Sequence, residues 1–189
     1  MTKSRRYLVL LFFLIALTGI FAVPGLVRKL KKISYPMKYY QTVEHYAEEY
    51  EMDPMMIYAV IRTESGFDEK AQSDVGARGL MQITEETFAW IKLKIASDEP
   101  LEFDDLWDPE VNIRFGSYYL DCCLERYAGD LATACAGYHS GWGTVDRLLE
   151  DPAYAATEKT LAEFPYPQMA RYVQKVSDAY QEYVQLYRS

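Results

Sequence analysis

Asp53-Pro54-Met55-Met56-Ile57-Tyr58-Ala59-Val60-Ile61-Arg62-Thr63-Glu64-Ser65-Gly66-Phe67 opens the stretch whose reading decides this chain, and Gly76-Ala77-Arg78-Gly79-Leu80-Met81-Gln82-Ile83 completes it. Asp53 is placed to cap a helix, and Pro54 suits the first helical position, where no amide hydrogen is needed. Ile57, Val60, Ile61 and Glu64 fall at helical spacing on one face, so a carboxyl continues an apolar stripe that faces a core. Burial disfavours a charge there, and the last turn of a helix adds the negative end of its dipole. Both effects hold Glu64 protonated near neutral pH, the state in which a carboxyl delivers a proton to the leaving oxygen of an acetal. The bland alternative is a Glu that turns to water at a fraying helix end. Gly76 and Gly79 then bracket Ala77-Arg78 as a tight loop, and Gln82 brings an amide beside Leu80, Met81 and Ile83.

Outward from this stretch the pattern is helical. Residues 38–51 carry Tyr39, Val43, Tyr46, Ala47 and Tyr50 at amphipathic spacing, and residues 84–96 carry Phe88, Ile91 and Ile95. Residues 97–107 are acidic and irregular, with Pro100 as a breaker, and read as a surface loop. Asp108-Pro109 repeats the capping signal for a long helix to Tyr127, stopped by Gly129. A last helix runs from about Gln168 to Arg188, with Tyr172, Val176, Ala179, Tyr183 and Leu186 on one face. No window alternates in the way a strand requires, so an all-α domain is expected over 39–189.

The first 32 residues have a different character. Lys3, Arg5 and Arg6 precede an uncharged run from Tyr7 to Val27, long enough to span a hydrocarbon core as a helix. A cleaved signal peptide is the rival reading, but no clear Ala-x-Ala site is present and no Cys follows the run. The expected organisation is a cytoplasmic tail (1–6), a single-pass membrane anchor (7–27), a juxtamembrane linker (28–38) and an extracytoplasmic domain. The basic linker residues Arg28, Lys29, Lys31 and Lys32 read as a stop on lipid headgroups or as a solvated tether; extended, 28–38 reaches about 35–40 Å. Seven of the 20 basic residues and no acidic ones lie in positions 1–32, which leaves 13 basic against 28 acidic residues, a net of −15, for 33–189. That charge excludes a nucleic-acid partner for the domain. Cys122, Cys123 and Cys135 read as buried free thiols, with a bond from one of the first two to Cys135 as the alternative. They and the two histidines, His45 and His139, offer no metal-ligand spacing, so no metal or cofactor is expected.

Glu64-Ser65-Gly66-Phe67, Ala71-Gln72-Ser73, the run from Gly76 to Ile83 and Thr87 resemble the signature of the soluble-lytic-transglycosylase (SLT) domain, of the family 23 glycoside hydrolase type. Asn112, Gly116 and Tyr119-Leu120 match that family's helix before its third motif. The third motif itself is Ala134-Cys135-Ala136-Gly137-Tyr138-His139-Ser140-Gly141, with His139 where the family usually has Asn and Ser140 where it has Ala. A neutral His donates one hydrogen bond and accepts another, as an amide does, although a spacer on a loop is the plain alternative. In the closing motif Gln168, Met169 and Ala170 replace Glu, Thr and Arg, while Tyr172 is retained.

The resemblance covers about residues 40–185 and implies a lysozyme-like helical fold. It further implies cleavage of the β-1,4 bond between N-acetylmuramic acid and N-acetylglucosamine in peptidoglycan. Glu64 would protonate the glycosidic oxygen and then, as carboxylate, take the proton of the muramic C6 hydroxyl to close a 1,6-anhydro ring. Ser73 and Gln82 would touch the sugar or its acetamido group, and Tyr138, His139 and Tyr172 would line the catalytic side. The implied partners are glycan strands, the membrane and other cell-envelope proteins. Hydrolysis of the same bond, as in goose-type lysozymes, and a wall-binding scaffold with a dead site are the alternatives.

Overall fold

The computed structural model describes residues 23–188. Residues 23–34 form helix α1, followed by α2 (Tyr40–Glu49), α3 (Pro54–Glu64), α4 (Glu85–Ile95), a 3-10 turn (Phe103–Trp107), α5 (Pro109–Arg126), α6 (Leu131–Ser140), α7 (Trp142–Leu149) and α8 (Pro167–Tyr187). Among the described residues the β pairing is confined to isolated bridges, two of them in the loop that carries Arg78. The expected all-helical architecture is present.

Local chemistry sets the helix starts. Asp53 accepts from the Met55 amide at 2.9 Å and Asp108 from the Glu110 amide at 2.7 Å, each directly before a proline. A cap of this kind contributes about 1 kcal/mol. From Pro54 to Ile61 α3 carries no charge, and Ile57, Tyr58, Ala59, Val60 and Ile61 are all fully buried. The helix is therefore surrounded rather than faced on one side, which is the fate of a helix apolar all round. It packs against α8 and α2, α8 packs also on α6, and α6 lies against α5 and α7. Glu64, the last residue of α3, is thus carried by a helix with no exposed residue.

Three expectations change. Residues 97–107 are not simply a surface loop: Leu106 in the 3-10 turn is fully buried, and the Arg78 guanidinium lies 4.0 Å from the Phe103 ring centroid while pairing with Asp104. Residues 131–140 and 142–149 are helices, so His139 sits in the last turn of α6 and not on a loop. Gly141, with φ of +78°, ends one helix and begins the next. Neither helix announces itself in sequence, because the small residues Ala132, Ala134, Ala136 and Gly137 are buried or half-buried where they would suit a loop equally well.

The third change concerns the linker. The run from Tyr7 to Val27 lies outside the described residues up to position 22, and none of the described helices is long and apolar enough to cross a membrane. Residues 28–34, however, are helical and not extended, and they lie on the C-terminal end of α8. The Arg28 guanidinium donates to the Leu186 carbonyl at 3.0 Å, Lys31 meets both Glu182 carboxylate oxygens at 2.7 Å, and Lys32 stands 4.8 Å over the Tyr187 ring. With a rise of about 1.5 Å per residue, a helix spans less than half of what the same residues span extended.

Candidate active site

Glu64 ends α3 at the foot of a cleft, and burial pushes its carboxyl up to about 7 against an ordinary 4.5. One contact opposes the shift: the Tyr172 hydroxyl donates to Oε1 at 2.6 Å, favouring the charged form. Tyr172 is itself held far above its usual range by burial and by the neighbouring carboxyl, so its hydroxyl keeps its proton. With Oε1 engaged by that donor, Oε2 is the oxygen that carries the carboxyl's proton.

The loop facing Glu64 is fixed by its own backbone. Ser65 Oγ donates to the Leu80 carbonyl at 2.8 Å, joining the end of α3 to the loop, and the amides and carbonyls of Arg78 and Ile83 pair reciprocally at 3.0 and 3.1 Å. Buried Asn112 of α5 accepts from the Met81 amide at 2.8 Å and donates to the Arg78 and Leu106 carbonyls, each at 2.9 Å. Gly79 has φ of +73°, and a Cβ there would overlap the Asn112 amide. The glycine is thus required both by backbone angle and by closeness to α5.

These constraints refine the roles expected of the site residues. Gln82, at φ of +51°, donates through Nε2 to the Ala71 carbonyl (2.9 Å) and the Gly79 carbonyl (3.0 Å), which leaves Oε1 as its group for a ligand. Ser73 Oγ accepts from the Ala77 amide at 3.1 Å and retains its hydroxyl hydrogen as a donor. Tyr138 donates to the Met81 carbonyl at 2.8 Å, so it offers the cleft its ring more than its hydroxyl. His139 stacks on Tyr172 with centroids 4.3 Å apart and planes 11° from parallel, and desolvation lowers its pKa.

Glu64, Ser73, Gln82, Tyr138 and His139 line one cavity of about 210 Å³, with Thr84, Thr87 and Tyr119. Tyr172 stands behind Glu64. Among the described residues lining this cavity Glu64 is the one carboxyl. The substituted residues of the closing motif lie elsewhere: in the first turn of α8 Met169 is buried, Gln168 is exposed, and neither borders the cavity. Arg78 is engaged by Asp104, Phe103 and Trp107, a structural role. The three cysteines are free thiols, and burial pushes Cys123 up to about 12. Among the described residues no three His, Cys, Asp or Glu side chains are grouped to hold a metal ion.

Sequence reasoning passed over Asn112 as a scaffold for the loop, and Tyr119 and Thr84 as cavity walls. Asn112 had a signal, a lone amide on the apolar face of α5 beside Ile113 and Phe115, which a core accepts only when every polar atom is satisfied.

A helical, lysozyme-like domain whose cleft holds one desolvated carboxylic acid is the class that fold and site define. Within that class, residues 41–161 match the Transglycosylase SLT domain family, and the chain belongs to it. Its relatives include the Soluble lytic murein transglycosylase of Escherichia coli (strain K12), 29% identical over 152 residues, covering 79% of this chain and 24% of that protein. The Membrane-bound lytic murein transglycosylase C of Yersinia enterocolitica is 30% identical over 167 residues, 77% of this chain and 46% of that one. Among solved structures, an inactive mutant of the lytic transglycosylase Slt from Pseudomonas aeruginosa superposes with a TM-score of 0.71 at 31% identity, covering 82% of this chain and 25% of that one. The 70 kDa soluble lytic transglycosylase of Escherichia coli gives 0.74 at 26% identity with the same coverage, and has also been solved in complex with bulgecin A. The chain spans between about a quarter and a half of these relatives.

Proposed function

We propose that this chain is a peptidoglycan lytic transglycosylase that cleaves the β-1,4 bond between N-acetylmuramic acid and N-acetylglucosamine without water. The observation that carries the reading is Glu64: a lone carboxyl in its cavity, with a pKa of about 7. A two-carboxylate glycosidase needs a second acid across the scissile bond to act on water or on the sugar. Here one group serves twice. Protonated Oε2 gives its proton to the glycosidic oxygen, the bond to the muramic C1 breaks, and the substrate's own acetamido oxygen supports the cation. The carboxylate then takes the proton of the C6 hydroxyl as that oxygen bonds to C1, which releases the acetamido group and restores Glu64. A pKa near the working pH makes both halves accessible, and such acid-base help is worth about 10²–10⁴ in rate. Tyr172 supports the ionised half-cycle, and Gln82 Oε1 and the Ser73 hydroxyl are placed to hold the sugar.

For location, the proposed anchor is the uncharged run from Tyr7 to Val27, with the domain on the extracytoplasmic side. In support, Val23, Leu26 and Val27 at the end of that run, and Leu30 and Ile33 just beyond it, are exposed apolar residues of α1. Mass spectrometry of the fragments released from purified peptidoglycan tests the activity. 1,6-Anhydromuramic ends with the unaltered chain and none with Glu64→Gln are expected; reducing muramic ends would show hydrolysis instead, and no release would remove the reading.

A further inference from the structure

Tyr172 acts on Glu64 through a single hydroxyl, so whatever fixes its ring also bears on the acid. The ring hangs from α8, is buried, and donates to Glu64 Oε1 at 2.6 Å. His139 lies flat on it, with centroids 4.3 Å apart and planes 11° from parallel. That covering residue belongs to the seam between α6 and α8. Cys135, four residues earlier on the same face of α6, is buried, and His139 continues that face by one turn to the cavity wall. The imidazole therefore has one face on the phenol and its remainder exposed. The family signature usually has Asn here, which offers the phenol no ring, so the stack comes with this chain's own residue.

A stacked partner restricts the tilt of a ring, and a phenol that tilts carries its hydroxyl away from the acceptor. A hydrogen bond weakens steeply as its angle departs from the straight. Charge is not what His139 contributes where Glu64 loses its proton. Burial pushes Glu64 up to about 7, whereas desolvation lowers His139 from 6.5, so the imidazole is already neutral there. The other titratable groups of the seam and cavity are Cys135 and Tyr138 on α6 and Tyr119 on α5, all raised by burial and so holding their protons. On α8 Arg171 and Lys175 are exposed, on α7 Asp146 is paired with Arg126, and none of these, nor Arg147, borders the cavity. What remains for His139 to supply is a flat neutral ring.

We propose that His139 is a positioning residue for the reaction: by stacking on Tyr172 it keeps the phenol hydroxyl on Glu64 and so acts on the acid through Tyr172. The proposal rests on the reading of Glu64 as proton donor and acceptor given above. Its consequence is that the ring at position 139, and not its ability to titrate, takes part in setting the pH at which Glu64 changes form.

The test reads the alkaline limb of kcat/KM and, independently of cleavage, the carbon-13 NMR titration of the Glu64 carboxyl, both on the full chain. His139→Ala should move the two upward by about half a pH unit, roughly a threefold change in the proton equilibrium. His139→Phe, which keeps a flat ring, should leave them in place. In Tyr172→Phe, where no hydroxyl is left to hold, His139→Ala should add nothing. The proposal is overturned by no shift, by a downward shift such as water entering beside Glu64 would cause, by an equal shift in the two backgrounds, or by the same shift for Ala and Phe. If the full chain cuts no glycan strand, the function reading fails and the NMR titration decides alone, with the same expected and overturning results.

Discussion

Replacing Glu64 by Gln keeps the shape of the side chain and its acceptance of the Tyr172 hydroxyl, and removes only the titration. In the folded domain Glu64 titrates at about 7, against an ordinary 4.5. Between those values the native state holds a proton that the unfolded chain releases, so stability falls as pH rises through the window. Relative to Gln, the burden of Glu64 is absent below about pH 4.5 and complete above about pH 7. A displacement of about 2.5 pH units at about 1.4 kcal/mol each gives roughly 3 kcal/mol. Glu64 is partly open to the cleft, where water screens the charge, so about 2 kcal/mol is the expected gain of Glu64→Gln. Urea denaturation at about pH 4 and about pH 8 measures it, read as a change of midpoint at constant slope. The variant should match the unaltered chain at the lower pH, exceed it at the higher, and cleave nothing at either. Equal stability at both would refute the desolvated carboxyl, and residual cleavage at the original rate would refute its role.

Tyr172→Phe removes the one contact that lowers the Glu64 pKa, so the alkaline limb of kcat/KM should move upward by about one pH unit or somewhat more. A limb that stays or moves down would contradict the hydrogen-bond assignment. Gly79→Ala forces a Cβ against Asn112 at a positive φ and should cost about 2–4 kcal/mol in a melting experiment. Gly76→Ala, at φ of +81° with open space around it, should cost about 1–2 kcal/mol by strain alone. Similar losses in the two variants would mean that the contact with α5 is not what demands glycine at position 79.

Where the sequence is legible and where it is not follows from the range of the interactions. Asp53 and Asp108 act on amides two residues away, and the positions of α3 and α5 follow from them. The burial of Glu64 is readable from Ile57, Val60 and Ile61, because a helix fixes which residues share a face. The Tyr172 contact is reached only through the resemblance, since 108 residues separate the partners. His139 shows the limit most clearly. As a substitution on an expected loop it reads as a substrate ligand or a spacer, whereas in the last turn of α6 it covers the outer face of Tyr172. Trp90 and Trp142, 52 residues apart, are each an ordinary aromatic until the packing of α4 and α7 sets them edge to face.

The position of α1 changes what an anchor would do. An extended tether of 28–38 would let the domain swing over about 35–40 Å, but a helix fastened to α8 holds it at one height. Tyr172 and Glu182 lie on the same helix ten residues apart, about 15 Å along its axis, so the point of attachment and the residue that holds the Glu64 carboxyl are joined by one rigid element. Any restraint applied through α1 therefore sets the height of the cleft directly. The Lys31–Glu182 pair is the accessible part of the fastening, with side chains 43% and 27% exposed, and such a pair is worth at most about 1 kcal/mol. Lys31→Glu or Glu182→Lys alone should raise protease cleavage between α1 and α2 up to about fivefold, the opening ratio that this energy permits. The double reversal, which restores opposite charges at the same two positions, should return cleavage close to its original rate. If it does not, or if neither single variant changes the rate, the helix is held by its contacts to Leu186 and Tyr187 instead; cleavage between α1 and α2 of the unaltered chain as fast as in the unfolded chain would show that the domain swings, and the height argument falls.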